Sequence, residues 1–227
     1  MNTALMLWES CCIPSMLHRA GSWVEITQAT EKRLNTLQCW FVRLVLQIGP
    51  GSPLAGLLWD NALLDFGLRI WIEKIMLVFH IRSLDSDTLA NRVYIEQKEK
   101  GWPGLYQETS SICKQLDIED VNNTRLCKTK YKSILIEACH RKNEVRLRAQ
   151  ASDIKCLRLK KEKYGKKEYL DNQNITNTRN WFKTRYGLLP FSGNFSHDRR
   201  FAKSDWFCCC KETKEDESHL VSGNCEV

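Results

Sequence analysis

Residues 30–48, TEKRLNTLQCWFVRLVLQI, decide the fold class. Leu34, Leu37, Phe41, Leu44 and Ile48 recur at three- and four-residue steps, which is one face of an α-helix. Trp40 and Val45 widen that face. Thr27 or Thr30 supplies the N-cap oxygen. The run Gly49-Pro50-Gly51-Ser52-Pro53 must end the helix, because proline has no amide hydrogen and collides with the preceding turn.

Downstream the same period continues. Residues 54–64 predict a short helix, which Gly67 separates from a second over 68–82. In that second piece Ile70, Trp71, Ile75, Leu77, Val78, Phe79 and Ile81 leave almost no polar face, so it belongs inside a larger core. Asp85 or Ser86 caps a helix through Leu89, Val93 and Tyr94, ended by Gly101-Trp102-Pro103-Gly104; a further helix carries Leu105, Ile112 and Leu116. From Lys128 a thin stripe of Tyr131, Ile134, Leu135, Ala138 and Val145 runs among Arg141, Lys142, Arg146 and Arg148. Residues 155–170, KCLRLKKEKYGKKEYL, read as solvated charge. A polar break at 171–174 precedes a last helix over 176–186, with Gly187 as its stop. Upstream, residues 1–26 have no clear period, and Trp23, Val24 and Ile26 suit a short strand or turn. No run of alternating strands is present, so the expected class is mainly α.

The 227 residues allow one or two domains, and 8 Trp, 6 Tyr and 8 Phe within a 43% hydrophobic composition exclude a wholly disordered chain. The longest apolar run, 63–81, is broken by Asp65, Arg69, Glu73, Lys74 and His80, so no membrane span or membrane partner is expected. The N-terminus lacks the basic start of a secretory signal, and Glu9 interrupts its apolar stretch; the expected location is intracellular, in cytoplasm or nucleus. In that setting Cys11, Cys12, Cys39, Cys113, Cys127, Cys139 and Cys156 are expected to behave as small buried hydrophobes.

Charge is unevenly spread. Residues 121–170 hold 15 Lys/Arg against 5 Asp/Glu, whereas residues 1–120 hold 11 against 14. A block of that density suits a polyanion, most often nucleic acid, with affinity that falls steeply with salt. Tyr131, Tyr164 and Tyr169 lie among the cations and could stack on bases. The plainer alternative is a solvated helix face. At the other end, Cys208, Cys210, His219 and Cys225 form C-x-C-x8-H-x5-C, a donor set suited to a structural tetrahedral zinc. The tail is too short to bury a core of its own, so metal would supply its folding free energy. A disordered acidic tail and cysteine redox chemistry remain the alternatives. No phosphate-cradling glycine loop, H-E-x-x-H or G-x-S-x-G motif occurs, and no catalytic set is predicted.

Four stretches together resemble the carboxy-terminal part of a non-LTR (LINE-type) retrotransposon reverse transcriptase: PSMLHRAGSWVEI with RLNTLQCWFVRLVL (14–26 and 33–46); SPLAGLLWDNALLDFGLRIWIEKIMLVFHIRSL leading to LANRVYIEQKEKGWPGL (52–84 and 89–105); WFKTRYGLLPFSGNF (181–195); and DWFCCCKETKEDESHLVSGNC (205–225). The resemblance implies a helical thumb-like bundle over 1–120, a basic helical connector over 121–190, and a small zinc-knuckle tail over 191–227. It strengthens the zinc expectation for Cys208, Cys210, His219 and Cys225. In that family polymerisation requires adjacent aspartates that bind two metal ions, on a palm domain. This sequence shows neither that pair nor a match to the fingers and palm, so the resemblance implies a non-catalytic remnant. A thumb holds a template–primer duplex by its backbone, so RNA, DNA or an RNA–DNA hybrid is the implied partner. Lys155, Arg158, Lys160, Lys161, Lys163, Lys166 and Lys167 are the first candidates for phosphate contact; Arg179, Lys183 and Arg185 are the second. The rival expectation is an inert, pseudogene-like fragment with no selected function.

Overall fold

The computed structural model describes residues 2–23, 26–49, 52–150, 163–171, 174–186 and 188; the zinc candidates, Lys155, Cys156, Arg158, Lys160, Lys161 and Gly187 lie outside them. The protein is mainly helical, with no strand among the described residues. The elements are α1 (Asn2–Leu7), α2 (Ile13–Met16), α3 (Gln28–Leu46), α4 (Leu54–Asp60), α5 (Phe66–Arg82), α6 (Leu89–Lys100), α7 (Leu105–Leu116), α8 (Lys128–Gln150) and α9 (Ile175–Arg185).

At the N-terminus, where the sequence shows no clear period, residues 2–16 are helical. A π-helical turn, Trp8–Cys12, joins α1 to α2, and Pro14 sits in the first turn of α2. Proline donates no backbone hydrogen bond, and the wider turn before it accommodates the missing contact. Trp8 stacks on Phe41 with ring centroids 4.3 Å apart, which lays this segment on α3.

α5 is the hub. It packs against α3, α6, α7 and α8, and Ile75 and Val78 are wholly enclosed. Its apolar circumference is explained by that position. Asp65 caps its N-terminus by accepting from the Gly67 amide at 2.7 Å. Gly67 therefore lies inside the first helical turn and does not separate two helices. A Cβ there would stand 2.6 Å from a Glu31 carboxyl oxygen, so the end of the Glu31 side chain would have to move aside.

α3 has the predicted length and cap, since the Thr27 hydroxyl accepts from the Thr30 amide at 3.2 Å. The buried face agrees with the expected one only in part: Ile48 is buried and Leu34 and Phe41 pack on the core, but the centre of the face is shifted. Gln38, Cys39, Val42 and Leu46 turn inward, while Leu37, Trp40 and Leu44 are exposed (41%, 57% and 59%). Two adjacent stripes of this helix satisfy the same period, so spacing alone does not choose between them. A polar contact marks the one that docks: the Gln38 side-chain amide donates to the Leu64 carbonyl at 3.1 Å, and Gln38 is fully buried.

The remaining helices follow the pattern with shifted ends. Thr88, rather than Asp85 or Ser86, precedes α6, and Asn174 caps α9 by accepting from the Thr176 and Asn177 amides. Within α8, Tyr131, Leu135 and Ala138 are buried as expected, but Val145 is 68% exposed. Of the cysteines, Cys39, Cys113 and Cys139 are buried, whereas Cys11, Cys12 and Cys127 are exposed and so are not core residues.

The apolar interior falls into two main parts. One is built by α5, α6, α7 and α8. The other joins α3 and α4 to Leu147, Leu170, Phe182 and Tyr186, so residues from the basic second half of the chain complete the core of the first half. Leu170, in a stretch read as solvated charge, is completely buried.

Candidate nucleic-acid interface

The basic block has two halves with different fates. Along the later turns of α8 the cations are absorbed by the protein. Arg146 binds Asp65 at 2.5 Å, Arg148 pairs with Glu144 at 2.8 Å and lies over the Trp59 ring, and Lys142 covers the Trp71 ring at 5.5 Å. Arg141 pairs with Glu137 one turn away. Around the start of α8 the opposite holds. Arg125, Lys128, Lys130 and Lys132 are exposed and make no ion pair with a described residue. Sequence reasoning does not rank these four among the phosphate contacts. The signal that could have found them is the spacing R-x-x-K-x-K-x-K at 125–132, which places Lys128 and Lys132 one turn apart beside the inward Tyr131.

Of the predicted phosphate contacts, Lys163 and Lys166 are exposed and Lys167 is half-buried. Lys166 pairs with Asp171 at 2.6 Å, and the Lys167 ammonium donates to the Lys163 carbonyl at 2.9 Å. Arg179 is half-buried with Gln47 as a neighbour at 3.5 Å, and Lys183 is half-buried on the same helix. Arg185 points inward to Asp60 at 2.9 Å, with its side chain 18% exposed. It is engaged by the core and not presented to solvent.

The tyrosines do not offer stacking platforms. Tyr131 is buried and its hydroxyl donates to the Glu119 carbonyl at 2.5 Å. Tyr164 meets the Trp59 ring edge-on at 5.3 Å and accepts from the Asn143 amide at 3.0 Å. Tyr169 donates to the Asp60 carboxylate at 2.6 Å. An aromatic ring among lysines is often taken for a base contact, but here each ring is the apolar foot that ties a charged segment to the core.

Asp60 is the polar centre of this arrangement. It closes α4 and is fully buried. Its carboxylate receives Tyr169 and Arg185, and its backbone carbonyl accepts the Lys167 amide at 3.0 Å. Burial pushes its pKa upward, and Arg185, Tyr169 and Tyr186 oppose that shift. Tyr169 is in turn pushed up by burial and by the facing carboxylate.

A cavity of about 720 Å³ lies beside α2 and α5, with Arg19, Arg69 and Lys166 on its wall. Glu9 and Glu73 share that wall, and Glu9 already holds Arg69 at 3.2 Å. The cavity therefore has no marked excess of positive charge, in contrast to the exposed start of α8. His140 also lines it; burial, then Arg69, holds its pKa below the usual histidine range. Among the described residues no cluster of His, Cys, Asp and Glu could hold a metal ion, and no helix is long and apolar enough to cross a membrane. No family model, curated protein or solved structure matches the chain.

Proposed function

We propose that this chain binds RNA or DNA by the sugar-phosphate backbone, without reading sequence and without catalysis, as a remnant of a non-LTR retrotransposon reverse transcriptase. The observation that carries the reading is the exposed set Arg125, Lys128, Lys130 and Lys132, which pairs with no described carboxylate, followed by the exposed Lys163 in the same basic block. Cations that are already paired inside a protein release no counterions on binding, whereas exposed ones do. Flexible lysines also suit phosphate better than base edges, which supports binding without sequence preference. Lys155, Arg158, Lys160 and Lys161 extend the set in sequence, and Cys208, Cys210, His219 and Cys225 are proposed to hold one structural zinc in the tail. The proposed setting is intracellular.

The test is binding to a generic RNA–DNA hybrid across a salt series. The expected result is affinity that falls as salt rises, with a log–log slope near about −0.9 for each duplex phosphate neutralised. Replacing Arg125, Lys128, Lys130 and Lys132 with Ala should weaken binding equally for unrelated sequences. Affinity that ignores both salt and these replacements defeats the proposal. For the tail, metal analysis of reduced protein prepared without chelator should find one zinc per chain.

A second reading, an inert fragment, is favoured by one feature: the exposed apolar stripe Leu37, Trp40 and Leu44 on α3. A stripe of that kind suits a surface that has lost its cover. Cooperative unfolding together with salt-dependent nucleic-acid binding counts against it.

A further inference from the structure

We infer that Asp60 is the positioning residue of the basic loop, and that it sets how many loop lysines reach a nucleic-acid backbone. The inference rests on the reading above. Three observations converge on it. First, the beginning of the loop 163–171 is attached to the body at two places, ahead of Tyr169 and the buried Leu170. Tyr164 is held by Asn143 at 3.0 Å and by Trp59, and three residues later the Lys167 amide reaches the Asp60 carbonyl. The segment between them, Gly165-Lys166, arches with Gly165 at φ +147 and open space around its α-carbon. The two anchors thus fix where Lys163, Lys166 and Lys167 stand. Second, the Asp60 carboxylate accepts from the Tyr169 hydroxyl of the loop at 2.6 Å and binds Arg185 at 2.9 Å, so the loop is tied to α9 through one side-chain group. Third, Asp60 is completely enclosed, as a surface carboxylate would not be. A buried ion pair contributes little net stability compared with apolar residues of the same volume, and in some proteins its role is to select one arrangement over its neighbours, which is the role inferred for Asp60. Its directional bonds bring together residues 109 and 125 positions apart in the chain.

Asp60 touches no ligand in this scheme. It acts through the loop, so its effect must disappear when the loop cations are removed. The experiment is a cycle of binding measurements on the full chain with an RNA–DNA hybrid, read as the slope of log affinity against log salt. Replacing Lys163, Lys166 and Lys167 together with Ala should reduce the slope by about 1 to 3, one for each lysine that reaches a phosphate. Asp60→Asn should reduce it by a similar amount although every lysine is still present. In the triple-lysine background, Asp60→Asn should change the slope no further. Tyr169→Phe removes one of the anchoring bonds without placing an unpaired charge in the core. It should shift the slope in the same direction by less, and it carries the test if Asp60→Asn no longer unfolds cooperatively. A full slope in Tyr169→Phe and Asp60→Asn, or effects that add to those of the lysine replacements, overturns the inference. Absence of salt-dependent binding in the unaltered chain overturns the underlying reading instead.

Discussion

The two halves of the interior are closed by different forces. Between α5, α6, α7 and α8 a large apolar cluster fills the interior and its polar bonds, such as Arg146 with Asp65 and Tyr94 with Asn122, lie around it; the helices are neighbours in sequence. Its buried cation, Lys74, meets Glu108 at the edge, where Glu108 is 40% exposed. Between α3, α4 and α9 the apolar contacts are joined by a fully buried carboxylate with several directional partners. Apolar area is tolerant of small adjustments, and hydrogen-bonded charge is not. The first region should therefore respond to lost volume and the second to lost charge.

Asp60→Leu gives the largest expected effect. It strands Arg185 and Tyr169 without their acceptor, and should cost about 3–5 kcal/mol in chemical denaturation. Amide exchange in α9 should accelerate before exchange in α6. A cost below about 1 kcal/mol breaks the comparison, because such a value is normal for a surface ion pair. Next, Leu135→Ala, at a position with no exposure, should cost about 2–5 kcal/mol through lost contacts and a cavity. Lys74→Met in the same region should change stability by less than about 1 kcal/mol, because the ammonium is replaced by apolar volume and Glu108 can be hydrated.

A smaller effect is expected from pH. Glu31 is pushed up to about 7, first by burial, then by its hydrogen bond and its repulsion with Asp65, with Arg146 acting in the opposite direction. Its folded value lies above the ordinary 4.5. The protonated form is thus favoured by folding, and its contribution is complete below 4.5 and lost as pH rises to 7. The melting temperature should decline across that interval, and Glu31→Gln should flatten the decline. The smallest effect belongs to the exposed pair Glu96–Lys100, where Lys100→Ala should cost about 0.3–0.5 kcal/mol and lose significance at high salt.

Helix positions were legible because apolar spacing and caps are local properties. α3, α5, α7 and α9 begin or end within a few residues of their expected limits, and Thr27 takes its expected role. The facing of α3 was not legible, since Leu37 and Leu44 have the same period as Val42 and Leu46, and Gln38 is unremarkable until Leu64 folds over it. The basic block illustrates the same limit. Its net charge can be read from composition, but whether an arginine is paired depends on residues far along the chain. Nothing near Arg185 announces Asp60, and nothing near Arg146 announces Asp65. Lys128, Lys130 and Lys132 remain exposed because their helix turns Tyr131 inward and leaves the other sides in water.

The separation of Asp60 from its partners has a kinetic consequence. During synthesis α4 is complete long before residues 169 and 185 exist, so this carboxylate must stay hydrated while the neighbouring helices are already assembling. Long-range closure of this kind is slow relative to helix–helix docking. The nascent protein should thus pass through a stage in which α5, α6, α7 and α8 are ordered and the α4 end is still wet, and refolding should show a late step that Asp60→Asn abolishes while the early one persists.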